Sequence, residues 1–181
     1  AAVSFFKKIL KQDAKNIDAL YNYGLALNQL KKYQDAITCF DKILDIDPKY
    51  IAAVNNRGIS LAEMGNTDDA LEYYNKAIEI DPKYAAAYYN RGVLYDKLLQ
   101  HDEAIQSLDE AIKCDSGNVN TAFYRGIVLA KMKKHEEALN CFENIYRKHP
   151  KHMDAFFHKG IELAELGKHE RALEIFDKLL D

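Results

Sequence analysis

An all-α fold, a solenoid of antiparallel helix-turn-helix units, is predicted by three features of the sequence. Gly24, Gly58, Gly92, Gly126 and Gly160 are spaced by 34 residues. Ala36, Ala70, Ala104, Ala138 and Ala172 each follow their glycine by twelve. The three prolines fall at one place in this period, at Pro48, Pro82 and Pro150. A repeat of this length accommodates two helices and two turns, and stacked copies share a core that no single copy could bury alone.

Taken in order, residues 1–16 align with the second half of a unit, with Ala2 where Ala36 stands and Phe6 where Phe40 stands. They predict the second helix of a truncated leading repeat. Full units follow at 17–50, 51–84, 85–118 and 119–152, and a shortened one at 153–181, all in one continuous solenoid. The missing initiator Met and the half repeats at both ends are expected of a segment of a longer protein.

In each first helix, Leu20, Gly24 and Leu27 lie on one face at helical spacing, and Leu30 continues it. Glycine inside a helix costs about 1 kcal/mol relative to alanine, so its recurrence implies close approach of the partner helix. Ala36 and its equivalents are expected to face that glycine. Phe40, Tyr74, Leu108, Phe142 and Phe176 are expected to fill the gap towards the neighbouring repeat. The full units close on Pro48, Pro82 and Pro150, with Ser116 replacing the proline once, and the pairs Asp47-Pro48 and Asp81-Pro82 disfavour further helix and force a turn.

Composition excludes several classes of function. Apolar residues make up 48% and charged ones 29%, so a packed helical chain is expected rather than a disordered one. The net charge is −3 with the two signs interleaved, which lacks the basic footprint of a nucleic-acid binder. No apolar run approaches the roughly 20 residues of a membrane span, and the first residues lack the charged-then-apolar layout of a secretory signal, so a cytoplasmic protein without membrane insertion is expected. Cys39, Cys114 and Cys141 are an odd set at scattered positions, which suits packing and not a disulfide framework. No phosphate-cradling loop, nucleophile elbow or zinc-ligand pattern occurs, so neither an enzyme nor a bound cofactor is expected.

The stretches YNYGLALNQLKKYQDAITCFDKILDIDPKY and YYNRGVLYDKLLQHDEAIQSLDEAIKCD resemble the tetratricopeptide repeat family, and the resemblance covers the whole chain. It implies a right-handed superhelix whose first helices line a concave groove. The groove positions carry Tyr21, Asn55, Tyr89, Phe123 and Phe157, and one turn later Leu25, Ile59, Val93, Ile127 and Ile161. Apolar and aromatic residues there either pad contacts between successive first helices or form an exposed trough that takes a protein or peptide ligand.

Asn22, Asn56 and Asn90 form a column beside this trough, and each amide can donate and accept. The column is similar to the asparagine ladder in the repeat domain of O-linked N-acetylglucosamine transferase, which implies pairing with the backbone of an extended peptide. Tyr124 and His158 interrupt it in the last two units. A family preference at a surface position explains the asparagines equally well. Family members that grip the carboxylate termini of heat-shock chaperones use a clamp of Lys, Asn and Arg. The matching positions here hold Tyr21, Leu25, Asn56, Ala86 and Asn90, and only Asn56 fits.

Arg57, Arg91, Arg125 and Lys159 form a basic column, expected to pair with carboxylates on second helices, or else to be reachable by an acidic partner. His101, His135 and His169 recur at one position, but stacked helices about 8–10 Å apart cannot share a metal whose ligands lie about 2 Å from it. The looser group His149, His152 and His158 gives an unspecific surface metal at most. These readings converge on an interaction scaffold that binds a partner peptide or helix in its groove. Two alternatives stand: a regulatory or targeting repeat domain of a larger enzyme, and a scaffold that self-associates through uncapped terminal helices bearing Phe5, Phe6, Ile9 and Leu10, or Phe176, Leu179 and Leu180.

Overall fold

A computed structural model describes residues 2–180, with side chains from Ser4 onward. The side chain of Ala2, aligned above with Ala36, lies outside the described residues. Among the described residues there are eleven helices and no strand. The first helices are α2 (Ile17–Gln29), α4 (Ile51–Glu63), α6 (Ala85–Lys97), α8 (Val119–Lys131) and α10 (Met153–Glu165). The second helices are α1 (Ala2–Gln12), α3 (Tyr33–Ile46), α5 (Thr67–Ile80), α7 (His101–Cys114), α9 (His135–Lys148) and α11 (His169–Leu180). The fold class is the all-α helix-turn-helix solenoid that the period predicts. Contacts divide the chain into two units, residues 1–94 and 95–181.

Every hairpin turn is closed the same way. Lys32 N–H donates to Leu27 O and Lys31 N–H to Asn28 O, both at 2.9 Å, the paired bonds of a Schellman motif. The same pair recurs at 65–66, 99–100, 133–134 and 167–168. The motif needs a left-handed residue. Gly65 and Gly167 supply it at φ 84° and 73°, but Lys31, Leu99 and Lys133 hold φ 59°, 60° and 58° with a full side chain. Between repeats the Asp side chain folds onto the turn: Asp47 Oδ1 accepts from Lys49 N–H at 3.0 Å and Asp81 Oδ1 from Lys83 N–H at 2.9 Å. Asn16 and Asn118 then cap α2 and α8 by accepting from Ala19 and Thr121 N–H.

The reason for the repeated glycine differs from the expectation above. A Cβ built on Gly24 would lie 2.7 Å from Phe40 Cε1; on Gly58 it would lie 2.8 Å from Tyr74 Cε1, and on Gly126 and Gly160 it would lie 2.7 Å from Phe142 and Phe176 Cε1. The group across from the glycine is therefore the aromatic ring, not Ala36. Phe40 and Phe142 are fully buried as a result. In residues 1–94 Phe40 packs with Leu20, Leu27, Ile43 and Ala53, while Tyr74 packs with Ile37, Leu61 and Leu94. In residues 95–181 Phe142 packs with Leu129, Ile145 and Ala155, and beyond it Phe156, Leu163 and Ile175 form a second cluster.

Candidate functional site

In residues 1–94 the first helices are joined by the asparagine column. Asn56 donates from Nδ2 to Tyr21 Oη at 3.2 Å and to Ala52 O at 2.8 Å, so it links α4 to α2. Asn90 donates to Asn55 Oδ1 at 3.0 Å and links α6 to α4. Asn22 is exposed and donates to Asp18 O, one turn back in its own helix. Asn55, expected to line the groove, is instead buried at 3% exposure and acts as the acceptor beneath Asn90. A polar side chain survives there because its carbonyl is satisfied. Among the described residues, the Oδ1 atoms of Asn22, Asn56 and Asn90 accept no hydrogen bond from the chain.

The apolar members are half-buried. Leu25 packs on the Phe40 cluster and Ile59 on the Tyr74 cluster, while Tyr89 and Val93 keep part of their surface in solvent. Tyr21 lies with its ring 6.3 Å from Phe40 and 5.8 Å from Tyr50. Burial pushes its phenol above the ordinary tyrosine value, and the neighbouring Tyr50 adds to this, so Tyr21 is a neutral hydrogen-bonding group.

In residues 95–181 the column position carries rings in place of amides. His158 stacks on Phe142 at 5.2 Å and 28°, and meets Phe123 and Phe157 edge-on at 5.4 and 5.7 Å. Burial holds its imidazole below the usual histidine value against the opposing pull of Glu162 and Asp154. Phe157 is 47% exposed and Phe123, Ile127 and Ile161 are half-buried. Here an aromatic surface faces solvent without an amide ladder.

The basic column is engaged. Arg57 and Arg125 bind Asp41 and Asp109 at 2.5 Å, Lys159 binds Glu143 at 3.1 Å, and Arg91 donates to the Asn75 carbonyl at 2.7 Å. Each partner lies sixteen residues earlier, on the preceding second helix. The recurring histidines go to different carboxylates: His101 Nδ1 lies 3.1 Å from Asp96 Oδ1, and His135 Nδ1 lies 2.7 Å from Glu162 Oε2. Among the described residues no three His, Cys, Asp or Glu are grouped to hold a metal ion. His152 caps α10 by accepting from Ala155 N–H at Nδ1.

One polar centre was not anticipated. Asp96 is 3% exposed, accepts from Tyr124 Oη at 2.7 Å and Lys131 Nζ at 2.6 Å, and faces His101. Burial pushes its carboxyl up, but the bonds and charges of Lys131, Tyr124 and His101 outweigh that and hold it below the ordinary carboxylate value. The available signal was a carboxylate at a repeat position that holds Asn28, Ala62, Ala130 and Ala164 in the other repeats. Tyr124, at the column position, therefore ties its helix to a buried anion.

Models of the tetratricopeptide repeat match residues 16–83 and 50–116, and again 125–181. The chain belongs to the tetratricopeptide repeat family. No curated protein sequence matches it significantly. Among solved structures it is similar to MamA, with a TM-score of 0.77 at 23% identity over 92% of this chain and 91% of that one. A thermophilic tetratricopeptide repeat protein of Thermus thermophilus gives 0.77 at 20% identity, over 90% and 89%. YrrB, described as a tetratricopeptide repeat protein with an unusual peptide-binding site, gives 0.70 at 25% identity over 96% and 89%. Among the described residues no helix is long and apolar enough to cross a membrane.

Proposed function

We propose that this chain is a protein-interaction scaffold whose first-helix surface holds an extended segment of a partner polypeptide. The observation that carries the reading is the pairing of unused amide acceptors with half-exposed rings. Asn22, Asn56 and Asn90 commit their Nδ2 groups within the chain and keep Oδ1 atoms without donors among the described residues, beside Tyr21, Leu25, Ile59, Tyr89 and Val93. An extended peptide offers backbone N–H donors at regular intervals and side chains to such a surface. In residues 95–181, Phe123, Ile127, Phe157 and Ile161 supply aromatic and aliphatic anchors of the kind that dominate binding energy. The peptide-binding site named for YrrB is consistent with this class of ligand.

The test is selection of peptides from a random library on the folded protein, followed by calorimetry of the tightest binder. Asn22→Ala and Phe157→Ser are suitable variants, because Asn22 bonds only within its own helix and Phe157 is about half exposed. Each is expected to weaken binding by about tenfold, with the melting temperature moving by less than about 2 °C. Selected peptides whose affinity is indifferent to both changes refute the groove. Self-association is a second reading, favoured by Phe5 and Leu173, each 60% exposed. Sedimentation at rising concentration separates it from a monomeric scaffold.

A further inference from the structure

A cavity of about 480 Å³ lies in residues 95–181, away from the groove positions. Ile112, Val119, Ala122 and Ile145 line it, with Arg125 and Cys141 among the polar groups that open onto it. Its volume falls within the roughly 300–1,000 Å³ of small-molecule sites.

One earlier repeat gives an internal comparison, since the position of Cys141 carries a ring there, Tyr73, whereas the other repeats carry Cys39, Ser107 and Ile175. Sixty-eight residues earlier, the same positions carry Leu44, Ile51, Val54 and Ala77, with Arg57 and Tyr73 in place of Arg125 and Cys141. There they form a filled apolar cluster in which Val54 and Ala77 are fully buried and Tyr73 and Ile80 pack against them. The Arg57 guanidinium carbon sits 4.1 Å from the centre of the Tyr73 ring, while its Nε holds Asp41 at 2.5 Å. Arg125 keeps the second interaction, with Asp109 at 2.5 Å, but not the first: its Nη1 meets only Cys141 Sγ, at 3.2 Å. The phenol ring is missing. Ile80 has also become Lys148 and Val54 has become Ala122; Ile145 in place of Ala77 returns only part of the volume. The cavity is the space of that ring and its neighbours, beside a guanidinium that no ring covers among the described residues.

We infer that this cavity binds a small aromatic carboxylate, its ring on the Arg125 guanidinium as Tyr73 lies on Arg57, and its anionic group at Lys148. Arginine prefers a ring face once it is removed from water, and the template shows the two groups meeting at that distance in this chain. Lys148 lines the cavity at the position of Ile80 and has no carboxylate partner among the described residues. That selects an anionic substituent over a neutral one. Burial pushes the Cys141 thiol above its ordinary value, so the sulfur stays protonated and the ligand is held without a covalent bond.

The probe is 4-hydroxyphenylacetate, titrated into isotope-labelled full chain and followed by amide chemical shifts. Saturable shifts are expected at Ala122, Arg125, Cys141 and Ile145. Cyclohexylacetate, which keeps the carboxylate and loses the ring face, is expected to bind at least about tenfold more weakly. Cys141→Tyr restores the template ring, and it is expected to raise the melting temperature and abolish the shifts. Should that variant not fold, Ala122→Val reduces the same cavity and is expected to weaken binding severalfold. Absence of saturable shifts at millimolar probe, equal affinity for the cyclohexyl compound, or undiminished binding by folded Cys141→Tyr overturns the assignment. Lys148→Ile is expected to weaken the carboxylate probe while leaving p-cresol unaffected. Equal loss of both would remove Lys148 from the site.

Discussion

Adding one methyl group at Gly126 tests why the repeat keeps its glycine. The new Cβ would stand 2.7 Å from Phe142 Cε1 and 2.8 Å from Cζ, and 3.2 Å from Cys141 Cβ. Carbon atoms rest about 3.5–4.0 Å apart, so the ring must retreat by about 1 Å. Phe142 is fully buried among Leu129, Ala138, Ile145 and Ala155, which leaves it nowhere to go without moving α9 from α8. Overpacking of this kind costs about 1–3 kcal/mol, while alanine regains up to about 1 kcal/mol of helix propensity. With the ring confined, the upper half of the overpacking range applies, about 2–3 kcal/mol less about 1, so the net expectation for Gly126→Ala is a loss of about 1–2 kcal/mol, read from urea denaturation followed by circular dichroism. Shortening the opposing ring with Phe142→Leu supplies the control. The double variant is expected to be at least about 1 kcal/mol more stable than the sum of the single losses. A Gly126→Ala protein as stable as the parent, or single losses that simply add, refutes the ring-on-glycine contact as the reason for the repeat.

Two further outcomes follow from local structure. Leu99 holds φ 60° and is 78% exposed, so Leu99→Gly removes left-handed strain without removing packing; relief of about 1–2 kcal/mol, less glycine's entropic cost of up to about 1, predicts a small rise in melting temperature, and a fall refutes it. The folded His158 imidazole binds protons less readily than the unfolded one, so stability is complete above the ordinary histidine value and is lost as pH falls through and below it. Melting temperatures measured from pH 7.5 down to 5 are expected to decline less steeply for His158→Phe, which keeps the aromatic surface; parallel profiles refute the assignment.

Much of the fold was legible because each repeat must solve the same packing problem with the same residues. The recurrence of Gly24, Ala36 and Phe40 made the helix-turn-helix fold class legible, and the Asp-Pro pairs at 47–48 and 81–82 fall in the breaks between α3 and α4 and between α5 and α6. Which residue met the glycine was not legible, since Ala36 and Phe40 both lie on the buried side of α3 and only the depth of the ring decides between them. The left-handed positions also escaped notice. Lys31, Leu99 and Lys133 carry no residue signature of positive φ, and the Schellman bonds impose it regardless.

The candidate site divides along the same line. Periodicity placed the predicted groove residues at two recurring positions of the first helices, because side-chain direction follows from helical spacing. It could not tell that Asn55 turns inward to accept from Asn90, that Asn56 reaches Tyr21 on the preceding first helix, or that Tyr124 serves a buried Asp96. Those outcomes depend on distances between helices whose residues lie 28 to 35 apart, and a one-dimensional pattern contains no such distances. The cavity beside Arg125 is the clearest case. The replacement of Tyr73 by Cys141 one period pair later is plain in the sequence. That it leaves space instead of a collapsed core was decided by the rigid spacing of α7, α8 and α9, which packed backbones set and a single small side chain does not change.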